Sequence, residues 1–259
     1  MIGVAAAVFV AALGGWYILQ HRSAPPARAP QTAQPPAPPP AEPAIMHPLP
    51  QAGEDGASKG PLPALGDSDT AMRNALGEVV GAAAVKNDLN PENIIRHIVV
   101  TIDNLPRQKA AVDKRPTSAV PGTFIADGDE LHATLDAQNF SRYQPMVAVV
   151  RNLDMQRLGS VYVRFYPLFQ HAYQDLGYPS GYFNDRLVQV IDVLLATPQP
   201  RGPIELVRPN VMYDFADPAL EALPAGQKLL IRMGPENEAA IKAKLMELRA
   251  VVTAAPLKR

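Results

Sequence analysis

Proline is spread so unevenly along this chain that it decides where a core can form. Eleven of the 28 prolines fall between Ala24 and Pro50. A ring that holds φ at about −65° and lacks an N–H cannot continue a helix or a central strand. The same region holds Ala and Gln but few large apolar side chains, so burial there cannot offset the entropy of ordering. We read residues 20–66 as a disordered spacer with polyproline II character. Pro35-Pro36-Ala37-Pro38 fits a PxxP docking motif, as almost any string this rich in proline would. A compact fold is thereby confined to residues 67–255, which is long enough to bury a real core.

Before the spacer, Ile2 to Leu19 is eighteen residues without a charge. At about 1.5 Å per residue it matches the hydrocarbon thickness of a bilayer. Trp16 and Tyr17 stand at its end, where amphipathic rings favour the interface. We read 2–19 as a retained transmembrane helix; a cleaved signal peptide is the other reading. Against cleavage, no Lys or Arg precedes the run, and the A-x-A-like Ala27-Arg28-Ala29 is followed by Pro30. Arg22 and Arg28 follow the span and taken alone would keep the rest of the chain in the cytoplasm. The proline-rich spacer is a habit of envelope proteins, and the expectation is a single-pass bacterial inner-membrane protein with a periplasmic domain.

Bulk charge and cysteine usage exclude several chemistries. Lys and Arg number 24 against 25 Asp and Glu, a net charge of −1, so no nucleic-acid partner is expected. The absence of cysteine removes disulfides, zinc–thiolate sites, iron–sulfur clusters and cysteine nucleophiles.

Within the folded region the apolar spacing is helical. Met72, Leu76, Val79, Val80 and Ala83 form one stripe, with Asp67 or Ser68 as cap. Asn90-Pro91 is expected to start a second helix through Ile94, Ile95, Ile98, Val99, Ile102 and Leu105, ended by Pro106. Thr123 to Leu135 reads as a short hairpin around Asp127-Gly128. Three amphipathic helices follow with short connections, hence near-antiparallel neighbours. The first presents Tyr143, Met146, Val147, Val150 and Leu153, capped by Asn139 or Ser141. The second is capped by Asp154 and runs through Leu158, Val161, Tyr162, Phe165, Phe169, Ala172 and Leu176 to Gly177, with Pro167 expected to kink it. The third runs from Phe183 through Leu195. Ile204 to Val207 reads as an extended edge piece, Asp217-Pro218 as a short helical turn, and Pro235 as the start of the last helix. The fold class expected is mainly α: a single multi-helix domain with minor β pieces.

Five of the eight tyrosines and three of the seven phenylalanines lie in Val161–Phe183. Phe165 and Phe169 read as core. Tyr166 and Tyr173 fall off that stripe, and they either join Tyr178 and Tyr182 in an exposed recognition patch or pack against the Ile204–Phe215 segment. Arg164, Arg208 and Arg232 read as structural arginines pairing with Asp185, Asp214 or Asp217.

Several motifs in this region, Tyr166-Pro167-Leu168-Phe169-Gln170, Leu176-Gly177-Tyr178, Phe183-Asn184-Asp185-Arg186-Leu187, Leu194-Leu195-Ala196-Thr197-Pro198, Gly226-Gln227-Lys228 and Arg232-Met233-Gly234-Pro235, resemble the bacterial family catalogued as "domain of unknown function 3014". The resemblance covers most of the chain after the spacer. It implies a proteobacterial, membrane-anchored protein and brings no activity, cofactor or catalytic residue with it.

No residue pattern supplies a reaction. His21, His47, His97, His132 and His171 show no i, i+4 pairing, and no HExxH, G-x-S-x-G, Walker or G-x-G-x-x-G motif occurs. No metal or cofactor is expected. The candidate surface is Tyr178, Tyr182, Arg208 and Asn210. The expected function is a non-catalytic, membrane-tethered adaptor that meets an envelope protein or cell-wall partner. The alternative is an envelope hydrolase with a site near residues 178–217, built on Asp185, Asp214 or Asp217.

Overall fold

Asp69 and Gly81 shape the beginning of the fold. In the computed structural model, which describes residues 44–49, 60–108, 114–129, 132–209 and 211–254, Asp69 opens helix α1 (Asp69–Val80). Its carboxylate accepts the N–H groups of Asn93 (2.8 Å) and Ile94 (2.9 Å), and so caps α3 (Ile94–Asn104) from a different element. Ser68, an expected cap, instead donates its hydroxyl to the Leu65 carbonyl. The expected helix through Ala83 is divided. Gly81 takes φ +100°, and a separate helix α2 (Ala82–Asp88) follows.

The expected start of the next helix at Asn90-Pro91 is corrected to Ile94. Asn90 is drawn away by the Arg115 and Pro116 carbonyls, to which its Nδ2 and N donate at 2.8 Å each. An Asn that finds backbone partners elsewhere competes with helix initiation. Asn93 bridges the gap in the left-handed region, at φ +52°. The helix then buries Ile94, Ile95 and Val99 as the stripe requires, and with them Asp103.

The hairpin around Asp127-Gly128 forms as β1 (Ala126–Asp127) and β2 (Ala133–Leu135), antiparallel, with Ala126 opposite Leu135. Ile204–Val207 is not an edge. β3 (Glu205–Val207) lies between β2 and β4 (Asp214–Phe215) in a four-stranded sheet of order β1-β2-β3-β4. The sequence reading missed β4, whose pairing Leu206–Phe215 moves β3 inward. Ala133, Leu206 and Phe215 are buried on one face of this sheet, against Ile231.

Helix α4 (Gln138–Arg151) buries Tyr143 and Val147, but Met146, expected on that face, is exposed. Neither Asn139 nor Ser141 is its cap. Asp136 accepts the Gln138 N–H at 2.7 Å, while Asn139, fully buried, exchanges two hydrogen bonds with the backbone of Ile125. In α5 (Met155–Asp175) the Asp154 carboxylate accepts the N–H groups of Gln156 and Arg157, as its position predicts. The helix continues through Pro167, which sits on the exposed side. Gly177, at φ +113°, closes it.

After α6 (Phe183–Leu195) the chain enters the second hairpin, a turn of helix α7 (Pro218–Glu221) capped by Asp217, then α8 (Ala225–Met233) and α9 (Pro235–Val252). The three consecutive helices α4, α5 and α6 are not simply one another's neighbours. The C-terminal helix α9 packs closely against all three, and α3 packs against α5 and α6. One core joins Met72, Ile94, Ile95, Val99, Phe165, Phe169 and Phe183, and a second joins Tyr143, Val147, Val190, Leu230 and Met233. Full burial of a side chain such as Phe165 or Phe183 contributes about 2–3 kcal/mol.

The domain is mainly helical, as expected. The stretch 2–19 and the PxxP motif at 35–38 lie outside the described residues. Among the described residues no helix is long and apolar enough to cross a membrane. Within the stretch read as spacer, residues 44–49 differ from the expectation: they are held against the domain.

Candidate functional site

The residues that organise the site come from one face of α5. Tyr162, Tyr166, Gln170 and Tyr173 recur at three- and four-residue spacing, so they line up along the helix. They meet the start of α6, whose first N–H groups have no partner within their own helix. Gln170 Oε1 accepts the Phe183 N–H at 2.9 Å, and the Tyr166 hydroxyl accepts that of Asn184 at 3.3 Å. The Tyr166 hydroxyl donates in turn to Gln170 Oε1 at 2.9 Å, and Gln170 Nε2 donates to the Gly181 carbonyl at 2.7 Å. This corrects both expectations for Tyr166 and Tyr173. They are neither an exposed patch nor packed on Ile204–Phe215, but buried against Tyr182, Tyr178 and Phe183. Burial pushes the Tyr162, Tyr166 and Tyr173 hydroxyls above their ordinary pKa.

Asn184 is the hub. It is fully buried, accepts from the Tyr162 hydroxyl at 3.1 Å, and donates to the Val252 carbonyl at 3.0 Å and the His47 carbonyl at 2.9 Å. Asp185, one residue on, turns its carboxylate to the same segment. Its two oxygens accept the N–H groups of Met46 (3.1 Å) and His47 (2.6 Å). The Tyr182 hydroxyl accepts the N–H of Leu49 at 3.3 Å. Three side chains at the start of α6 thus grip residues 46–49 by the main chain, while the Leu49 side chain packs on the large core. Pro48 falls where no acceptor is offered, and proline has no N–H to leave unpaired. The acidic group also stands in the first turn of α6, where the helix dipole favours it.

Tyr178 belongs to a different structure. It stacks on Tyr173 with ring centroids 4.5 Å apart and donates to Asp103 Oδ2 at 3.2 Å. Asp103, 1 % exposed, also accepts from Arg107 and, at 3.0 Å, from Arg186 Nε. Arg186 reaches the Asp103 carbonyl as well, at 2.8 Å. A buried carboxylate so surrounded is a lock between α3 and α6. The sequence reading missed it, because it assigned structural arginines to Arg164, Arg208 and Arg232.

Those arginines do other things. Arg164 lies over the Phe165 ring; Arg232 lies over Phe215 and donates to the Tyr213 carbonyl at 2.8 Å. Arg208 is exposed, 5.4 Å from the Tyr213 ring centroid, and donates to the Val211 carbonyl at 3.2 Å. Asp185 instead holds the 46–47 amides, and Asp217 caps α7 by accepting from Ala219. Of the four candidate surface residues, Tyr178 and Tyr182 pack with the large core, Arg208 stands over Tyr213 by the sheet, and Asn210 lies outside the described residues. An open groove of about 470 Å³ within 178–217 is lined by Pro198, Arg201, Glu205, Ala216 and Asp217, and includes neither tyrosine nor Arg208. Among the described residues no group of three or more His, Asp or Glu could hold a metal ion.

These features define a mainly helical domain with a small antiparallel sheet and a site that holds a chain segment bent at Met46 and His47. Residues 94–249 match the model of the family described as "Protein of unknown function (DUF3014)", and the chain belongs to that family. The matched region contains Tyr182, Asn184 and Asp185, whereas the segment they hold lies before it. No curated protein and no solved structure matches the chain.

Proposed function

We propose that this domain is a non-catalytic interaction module, tethered to the bacterial inner membrane through residues 2–19 and held off it by the proline-rich stretch. There it meets an envelope protein or a cell-wall partner. The observation that carries the reading is the grip of Tyr182, Asn184 and Asp185 on residues 46–49. Side chains directed at another segment's main-chain amides and carbonyl are a means of recognition, and they do not require a reacting group. The apolar run, followed by a long proline-rich stretch, supplies the tether.

The test is a photo-crosslinking residue placed at Met46, which is exposed, in the full-length protein in cells. The expected result is a discrete adduct with an envelope component, weakened in a chain lacking residues 24–43. The absence of any adduct at Met46 and at Val211, the other exposed apolar point tested, overturns the reading. Orientation is read separately with a C-terminal alkaline phosphatase fusion, expected to be active.

A further inference from the structure

Residues 46–49 are recognised in a way that another chain could reproduce. Asp185 takes two successive N–H groups, Asn184 takes the carbonyl between them and the proline, and Tyr182 takes the N–H after the proline. Only one ligand side chain is engaged in the core, that of Leu49; Met46 and Pro48 are exposed. The ligand features are therefore a main chain bent so that two successive amides face one carboxylate, a residue that needs no N–H partner, as proline does, and a leucine after it.

Two of the receiving groups, Tyr182 and Asn184, are also held by groups outside the segment. Tyr182 packs on Tyr166 with centroids 5.5 Å apart. Asn184 is held by Tyr162 and Val252, and Asp185 sits on a regular helical turn. Holding Tyr182 and Asn184 in place lowers the cost of binding.

We propose that Tyr182, Asn184 and Asp185 form a binding site for bent x-x-Pro-Leu peptides, filled in the free protein by its own Met46-His47-Pro48-Leu49 and opened to a partner's peptide by displacement. This rests on the reading of the domain as an interaction module and names the ligand class of that module. The resident segment is part of the same chain, so it competes at a high effective concentration, on the order of millimolar for a short connection. A partner peptide binds the intact chain more weakly by the fraction of time the site is free.

The experiment uses the full-length protein and a labelled synthetic peptide with the sequence of residues 42–51. Binding is compared between the intact chain and one carrying I45G, M46S, H47G, P48S and L49G, which empties the site without touching its three receiving side chains. The altered chain is expected to bind the peptide saturably, and at least about tenfold more tightly than the intact chain. Equal binding to the two chains overturns the proposal. Asp185→Ala in the emptied chain is expected to reduce binding about tenfold or more, in keeping with the loss of two charge-assisted hydrogen bonds. Because that variant also alters the first turn of α6, a second probe leaves the protein intact. A peptide N-methylated at the amides of Met46 and His47 cannot donate to Asp185, and its undiminished binding would likewise overturn the proposal. Peptide binding without any cellular adduct at Met46 or Val211 would leave the site standing and remove the tethered-module reading. An adduct without peptide binding would do the reverse.

Discussion

The side chain of Asn184 donates to the carbonyl of Val252, 68 residues further along, at 3.0 Å. That single bond joins the first turn of α6 to the last turn of α9, and both groups are fully buried. Asn184 also holds Tyr162 and His47. Asn184→Ala is expected to cost about 3 kcal/mol, because buried partners left without a hydrogen bond each carry a desolvation penalty. Urea unfolding measures it, and a loss below about 1 kcal/mol would show that water replaces the missing amide.

Two glycines should respond to alanine with opposite signs. At Gly159 a Cβ would lie 2.2 Å from Val251 Cγ1, where α5 and α9 approach closely. Gly159→Ala is expected to destabilise by about 1–3 kcal/mol. Gly77 lies within α1, and its nearest neighbour to an added Cβ is 3.8 Å away. Gly77→Ala is expected to stabilise by about 0.5–1 kcal/mol through helix propensity alone. Thermal unfolding of the two variants side by side decides the matter.

Asp103 and Arg107 form an ion pair whose two members differ in burial. Asp103 is 1 % exposed and the Arg107 side chain 53 %. Asp103→Ala removes the buried carboxylate that Arg186 and the Tyr178 hydroxyl donate to, and is expected to cost about 3–5 kcal/mol. Arg107→Ala leaves Asp103 still paired with Arg186 and should cost less than about 1 kcal/mol. Comparable losses from both would mean that Arg107 is the main partner of the buried carboxylate.

Alkaline pH should unfold the protein through its tyrosines. Burial raises the folded-state pKa of Tyr162 and Tyr166 above the unfolded value of about 10. The associated stability is complete below about pH 10 and falls as pH rises beyond it, since the unfolded chain releases these protons first. Absorbance at 295 nm followed together with circular dichroism should show the last tyrosines ionising only as helicity is lost. Ionisation of every tyrosine with helicity intact would show these hydroxyls to be open to solvent.

Acid pH acts through the carboxylates. The hydrogen bond from Arg249 lowers the Asp192 pKa, against a smaller effect of burial. For Glu221 burial pushes upward, and the bonds from Lys228 and the Phe215 amide bring it below its ordinary value. Both groups stabilise the fold above the unfolded carboxylate pKa of about 4, and that contribution is lost as pH falls through their folded values. Arg249→Met should flatten the acid limb of a stability profile; an unchanged limb would assign it to other carboxylates.

Some of this was legible in advance. Asp154 as a cap, Gly177 as a helix stop, Pro235 as a helix start and the Phe165–Phe169 core follow from residues within a turn or two of each other. Tyr182 was singled out as a surface residue, and it does contact another segment. Its partners were not visible, because Asn184 and Asp185 read in sequence as ordinary first-turn residues of an amphipathic helix. The 44–49 segment was assigned to the spacer on composition, and composition does not register a main chain whose amides find a carboxylate 138 and 139 residues away.

What the chain by itself determined is its local order: which stretches are helical, which faces are apolar, and where proline and glycine interrupt them. Those properties depend on interactions over three or four residues, so spacing records them. Only the tertiary structure decided that Asp69 caps α3, that β4 makes β3 internal, that Asp103 is locked by two arginines, and that the start of α6 holds residues 46–49. The polar contacts that matter most here, Asp69 with Asn93, Arg186 with Asp103 and Asp185 with Met46, join groups far apart along the chain. A long-range side-chain hydrogen bond has no fixed sequence separation, so its partner is settled by packing.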